Sequence, residues 1–244
     1  MDRLIYTAMT GAKYLLERQA TLANNLANAG TTGFRADTVG LRAVPAVSSQ
    51  AGTRVFTVET TTGSDFSQGP LTATGRTLDV AVQGDGWLTL QTADGSEVYT
   101  RNGAMQVGPD GTLQLANGMQ VQGTGGPITI PADAQTILVA GDGTVTVKAA
   151  SSLQPTTVGQ LKLVNPPVSD LTKGTDGLFR TRSGEPADAD GSVKVVDGTL
   201  EGSNVNVVEA MVGMIAASRQ FELQMKMLST AEQNEQKASS VVGT

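Results

Sequence analysis

The sequence predicts an α+β fold: long N- and C-terminal helices paired in a coiled-coil-like arrangement, with a central antiparallel β domain, a sandwich or a distorted barrel. Three observations carry this. Apolar residues recur at three- and four-residue steps in roughly the first and last thirty positions. Between about 77 and 200 the apolar period becomes two. That stretch is punctuated by Asp-Gly and Asn-Gly pairs, the strongest short-range hairpin signal.

The first helix is expected over 3–29. Leu4, Ala8, Gly11, Leu15, Leu22 and Leu26 form one stripe, and Ile5, Met9, Ala12, Leu16, Ala20, Ala23 and Ala27 form a second beside it. The resulting apolar face is wide and rich in Ala and Gly, which suits close approach by more than one neighbour. Gly30 is the expected terminator, in the left-handed conformation that ends helices. Residues 31–76 then read as an extended connector, too long for a simple loop and too poor in apolar groups for a core of its own. Its order is expected to depend on a partner. Val55–Val58 is its candidate strand.

The β domain is expected over 77–203. Leu78–Val82, Trp87–Leu90, Thr112–Leu115, Ile128–Ile130, Thr144–Val147 and Leu161–Leu163 alternate as half-buried strands do. Pairs such as Asp94-Gly95, Asp110-Gly111, Asn117-Gly118 and Asp142-Gly143 are expected to close type I′ turns. The second helix begins near Val207, where Asn206 followed by Glu209 has capping-box spacing. Val207, Met211, Met214, Ser218, Phe221, Met225 and Leu228 fall on a strict heptad seam. The domain organisation expected is therefore 1–30 with 204–238 as one discontinuous helical assembly domain, 31–76 as connector and 77–203 as the β-rich domain. Two antiparallel helices bury only one face of each, so the predicted assembly interface comprises Leu4, Ala8, Leu15, Leu22, Leu26, Val207, Met211, Met214, Phe221, Met225 and Leu228. Head-to-tail packing of such subunits gives a tube or filament.

Composition narrows the chemistry. The chain has 244 residues, 39% hydrophobic and 16% charged, with no His and no Cys. Missing histidine removes the commonest general base and zinc ligand, and missing cysteine removes thiolate chemistry and disulfides. The net charge of -6 argues against nucleic acid, which is bound chiefly through Lys and Arg. No run approaches the roughly 20 apolar residues of a membrane helix, and the opening Met1-Asp2-Arg3-Leu4 shows no secretory signal peptide. Gly84-Asp85-Gly86 and Gly123–Gly126 lack phosphate-loop spacing. Asp188–Gly191 lacks the glycine and late glutamate of a calcium loop. Asp79, Asp85 and Asp94 are the carboxylates to consider for glycoside cleavage, but a sugar cleft needs lining aromatics and the single Trp87 sits in a strand pattern. The methionines at 211, 214, 225 and 227 read as adaptable packing. No catalytic, cofactor or metal residue is expected.

Three motifs resemble one family. Ala23-Asn24-Asn25-Leu26-Ala27-Asn28-Ala29-Gly30-Thr31-Thr32-Gly33-Phe34-Arg35 resembles the N-terminal signature of the bacterial flagellar rod and hook proteins. Gly202-Ser203-Asn204-Val205-Asn206-Val207-Val208-Glu209 with Arg219–Glu222 resembles their C-terminal signature, and Leu78–Trp87 through Tyr99–Gly103 and Asp176–Arg180 their β domain. Within the family, Met1–Met9 and Met225–Met227 are most similar to the proximal-rod members. The resemblance implies export through the flagellar type III apparatus without a cleavable signal. It implies assembly in the periplasm with copies of itself and other proximal and distal rod subunits. The product would be a hollow rod, helices innermost around the export channel, that carries torque to hook and filament. It implies no cofactor, no nucleic acid and no membrane insertion.

Overall fold

The computed structural model describes residues 2–45, 55–150 and 154–242, with side chains left out over 2–8, 41–62, 235 and 238–242. The chain divides into two compact units. One comprises Met1–Asn28, Asp37–Asp65 and Val205–Thr244, and the other Ala29–Ala36 with Phe66–Asn204.

The first unit holds helix α1 (Asp2–Ala27), helix α2 (Val207–Val242) and the antiparallel hairpin Asp37–Pro45 with Val55–Ser64. Asn206 starts α2: its Oδ1 accepts the N–H groups of Val208 and Glu209 at 3.1 and 3.2 Å, satisfying two donors that have no partner inside the helix. At its other boundary α1 closes without a left-handed glycine. The Asn28 N–H donates to the Asn24 and Asn25 carbonyls, both at 3.1 Å, and the first positive φ after the helix belongs to Gly33, at 69°, rather than Gly30.

The two helices run antiparallel. A Cβ on Gly11 would meet Gln224, and one on Gly213 would meet Leu22. The α2 residues turned to this contact are Ala210, Ala217 and Ala231, all buried, with Met214, Phe221, Gln224 and Leu228 half-buried between them. On the α1 side Ala12 and Leu15 are buried.

This corrects the predicted fold class. Helix makes up only 26% of the chain, and the described residues form eighteen strands, so the fold is β-rich with a long C-terminal helix. Nor is the helix pair a coiled coil. A coiled coil needs large apolar knobs at its seam, whereas Val207, Met211 and Met225 of the predicted seam are exposed and the buried positions are alanines. Small residues of α2 let the helices approach closely, while Val207, Met211 and Met225 are left outside and Met214, Phe221 and Leu228 are only half-buried.

In the second unit a nine-stranded antiparallel sheet runs Leu171–Lys173, Phe179–Thr181, Glu97–Thr100, Trp87–Gln91, Gln120–Gly123, Leu113–Leu115, Met105–Val107, with Gly126–Pro127 and Leu163–Val164 attached beside it. A three-stranded sheet is formed by Ala134–Val139, Thr144–Ala149 and Thr156–Gln160. Two ribbons complete the unit, Lys194–Asp197 on Val80–Gln83 and Thr199–Glu201 on Leu71–Ala73. Inward residues of these sheets, among them Val80, Val82, Leu88, Leu90, Leu113, Val145 and Leu161, form one core. A smaller cluster gathers Trp87, Tyr99, Val164, Leu171 and Phe179.

The Asx-Gly turns form, but as another type. Gly111, Gly118, Gly143 and Gly177 donate to the carbonyl three residues back and have positive φ. The preceding Asx is never at positive φ, since among the described residues only glycines are. These are type I turns followed by a left-handed glycine, the three-residue hairpin loop. Asx Oδ1 atoms stabilise them by accepting the N–H two residues on, as Asp142 does from Thr144 at 2.9 Å.

Candidate functional site

Two arrangements bring the signature residues into play, one in each unit. In the helical unit, Asn25 is buried and its amide bridges the backbone of Asp37: Nδ2 donates to the carbonyl at 2.9 Å, and Oδ1 accepts the N–H at 2.8 Å. One side chain thus completes both hydrogen bonds of the residue that opens the hairpin. Asn28 Nδ2 donates to the Asn24 carbonyl at 2.9 Å. Asn24 and Ala27 are exposed, and Leu22 and Leu26 are half-buried. Leu4 and Ala8 lie outside the residues whose side chains are described.

α2 is apolar on two opposite sides. Ala217 is 1% exposed at the contact with α1, while Val208, Val212, Ile215 and Leu223 are 70%, 61%, 56% and 66% exposed. At about 100° per residue these four fall within about 60° of the face opposite Ala217. Met211 and Met225 are exposed on one flank, and Met9 and Leu16 of α1 are exposed too. The helix therefore carries an exposed apolar stripe on the face opposite its packed one. The sequence pattern marks Met211 and Met225 as interface residues and Val208, Val212 and Ile215 as a second apolar stripe beside that seam in the opening turns of α2; Leu223 was not singled out.

In the β unit, the signature residues 33–35 and 202–204 meet around a buried charge cluster. Gly33 donates its N–H to the Glu201 carbonyl at 2.7 Å. Its Cα lies so close to the Arg101–Asn102 peptide that a Cβ would stand 2.4 Å from the Arg101 carbonyl carbon, and its φ of 69° also demands glycine. Phe34 is buried beneath Lys173, whose ammonium lies 3.8 Å from the ring centroid and which donates to the Arg35 carbonyl at 2.7 Å. Asn204 ties three stretches together: Oδ1 accepts the Ala36 N–H at 2.7 Å, Nδ2 donates to the Ser67 carbonyl at 3.0 Å, and its N–H donates to the Phe34 carbonyl at 3.3 Å. Gly202 donates to the Pro70 carbonyl at 2.8 Å, and Ser203 is buried.

At the centre the Glu201 carboxylate faces Arg35 Nη1 at 2.6 Å and Arg101 Nη1 at 3.1 Å, all three side chains being fully or almost fully buried. Trp87 is nearby, its ring centroid 5.3 Å from the Arg101 guanidinium and 6.0 Å from that of Arg35. Burial pulls the Arg101 guanidinium below its ordinary value, Glu201 opposes that, and Arg35 reinforces it. Glu201 was not singled out from sequence. Its one signal was a charged residue ending an apolar strand pattern just before the Gly202 signature.

The carboxylates considered for catalysis do not converge. Asp79 is buried and holds Thr74 Oγ1 at 2.7 Å and Arg76 at 3.3 Å. Asp94 is an exposed turn residue whose carboxyl is lowered to about 2, chiefly by its bonds from Thr92 and Ser96. Trp87 is a core residue. Among the described residues no group of three or more acidic, His or Cys side chains is placed to hold a metal, and no helix is long and apolar enough to cross a membrane.

The β unit has its signature segments 33–35 and 202–204 meeting on a buried charge cluster, and the helical unit has a helix that is apolar on two sides. With no catalytic or metal cluster among the described residues, these features fit a structural class of subunit. Sequence comparison specifies the class. Residues 5–35 match the family described as flagella basal body rod protein, 81–147 the flagellar hook protein FlgE/F/G D1 domain, and 196–241 the flagellar basal body rod FlgEFG protein C-terminal region. The chain is 46% identical over 250 residues to the flagellar basal-body rod protein FlgF of Salmonella typhimurium, covering 99% of each. It is equally 46% identical, over 252 residues, to FlgF of Escherichia coli, again covering 99% of each. The flagellar basal-body rod protein FlgG of Buchnera aphidicola subsp. Baizongia pistaciae is 32% identical over 257 residues, covering 96% of this chain and 98% of the relative. The chain belongs to the flagellar basal-body rod family.

Proposed function

We propose that this chain is a structural subunit of the proximal part of the flagellar rod. It polymerises with copies of itself and with the other proximal and distal rod proteins into a hollow shaft. The shaft surrounds the export channel and carries torque to the hook and filament. In this reading residues 1–30 and 204–238 line the tube, 77–203 lie outside them, and the 31–76 connector completes its order on assembly. The subunit reaches the periplasm through the flagellar type III apparatus and acts there without cofactor or catalysis.

The observation that carries this is the outward stripe Val208, Val212, Ile215 and Leu223 on a helix already packed on its opposite face. Four such side chains, each between 56% and 70% exposed, hold about 4–8 kcal/mol of further burial energy per copy. Family membership supplies the context, since the matching FlgF and FlgG relatives are basal-body rod proteins.

The test is to isolate basal bodies from a strain carrying a tagged copy and to locate the tag along the rod by electron microscopy. Label in the rod segment nearest the inner membrane is expected. Absence from purified basal bodies, or label confined to the distal rod or hook, overturns the reading.

A further inference from the structure

The charge cluster of the β unit is unbalanced, with two buried guanidiniums against one buried carboxylate. The two arginines are also held very differently. Arg101 donates from Nη1 to Glu201 at 3.1 Å and to the Val82 carbonyl at 3.3 Å, and from Nη2 to the Gly84 carbonyl at 2.7 Å. Arg35 approaches Glu201 at 2.6 Å, yet its Nε, Nη1 and Nη2 make no aligned hydrogen bond. Its charge depends on a carboxylate that Arg101 already engages, and buried donors left without partners are costly. Glu201 itself is secured independently of Arg35, by the Gly69 N–H on Oε1 at 3.0 Å and by its own strand pairing with Leu71.

Removing Arg35 from this cluster leaves a neutral, hydrogen-bonded Arg101–Glu201 pair, whereas removing Glu201 leaves two unpaired buried cations. The segment that carries Arg35 is also lightly tied. Residues 29–36 form no strand, and their backbone bonds to the rest of the unit run from Gly33 to Glu201, from Asn204 to Phe34, from Ala36 to Asn204 and from the Lys173 ammonium to the Arg35 carbonyl. The 199–204 segment is anchored by a strand ladder and the Gly202–Pro70 bond.

We propose that Arg35 is the releasable bolt of an asymmetric latch: the 29–36 segment undocks from the β unit by itself, while 199–204 stays in place with Arg101 and Glu201 as its residual neutral pair. The N-terminal end of the chain can then be repositioned during assembly without unfolding the β core. The Arg35–Glu201 contact at 2.6 Å holds the segment in place. Release at this end costs less than release of 199–204, because departure of Arg35 leaves a neutral pair whereas departure of Glu201 leaves two buried cations.

Hydrogen exchange of single amides in the full chain tests this. In the unmodified protein the Gly33 and Ala36 amides should exchange at least about tenfold faster than Gly202 and Leu113. Arg35→Met should lower protection of Gly33 and Ala36 by about a further hundredfold and change Gly202 less than about threefold. Arg35→Lys, which keeps the charge, should fall between the two. Glu201→Gln should lower protection at Gly33 and Gly202 together. Equal protection of Gly33 and Gly202 in the unmodified protein overturns the proposal without any variant. A parallel loss at both sites in Arg35→Met, or no loss at Gly33, also overturns it.

Discussion

Replacing Val212 or Ile215 with Asp separates assembly from folding. Both side chains are more than half exposed on the face of α2 opposite Ala217, so the isolated subunit should lose no more than about 0.5 kcal/mol, as expected for an exposed helix position. In the proposed assembly the same position is covered by a neighbouring subunit. Loss of the remaining apolar burial then costs about 1–2 kcal/mol, and a carboxylate held away from water adds several more. A total of about 4 kcal/mol or more per contact weakens association by about a thousandfold. Circular dichroism and denaturant unfolding of the purified protein should match the parent, while motility and recovery of the subunit in basal bodies are lost. Ala217→Asp is the counterpart: at 1% exposed it should disrupt the contact with α1 in the isolated subunit. Normal swimming with Val212→Asp or Ile215→Asp would refute the assignment of that face.

Three further outcomes follow from the described contacts. Gly33→Ala places a Cβ against the Arg101–Asn102 peptide at a φ of 69°, and should destabilise the β unit by at least about 2 kcal/mol in chemical denaturation, the scale of backbone strain. Asn25→Ala removes both side-chain bonds to Asp37 and should cost about 1–3 kcal/mol, measured as loss of helical-unit stability with the β-core amides unaffected. The Asp94 carboxyl should titrate near 2 by NMR; because its folded value is depressed, the stability it contributes is present above its ordinary value of 3.8 and is lost as pH falls toward 2. Thr92→Val should raise that midpoint.

Much of the local structure was legible in the sequence, and most of its partnering was not. The start of α2 could be read from Asn206 because a cap is a contact across three residues. The Asx-Gly loops were legible as turns, but their type depends on whether the Asx or only the glycine takes positive φ, which the dipeptide does not decide. The helix seam was misread for a physical reason. Periodicity weights large side chains, so it selected Val207, Met211 and Met225, whereas two helices in close contact bury alanine. Met214, Phe221 and Leu228 lie where both readings overlap and are half-buried. The sheet order, which sets Phe179 against Tyr99 and Leu163 against Leu88, joins residues about 75 or more positions apart. No local pattern encodes such pairings. Glu201 was missed likewise, since its partners Arg35 and Arg101 come from distant stretches.

The chain contains no cysteine, so an engineered cysteine is unique within it, and the parent strain supplies the background control. The most direct measurement is bismaleimide cross-linking in intact basal bodies of Val212→Cys, with Ala217→Cys as reference. The outward stripe predicts that Val212→Cys joins the subunit to a neighbouring rod subunit carrying its own engineered cysteine on the facing surface, and that Ala217→Cys does not. Inter-subunit products from Ala217→Cys with none from Val212→Cys would contradict the account.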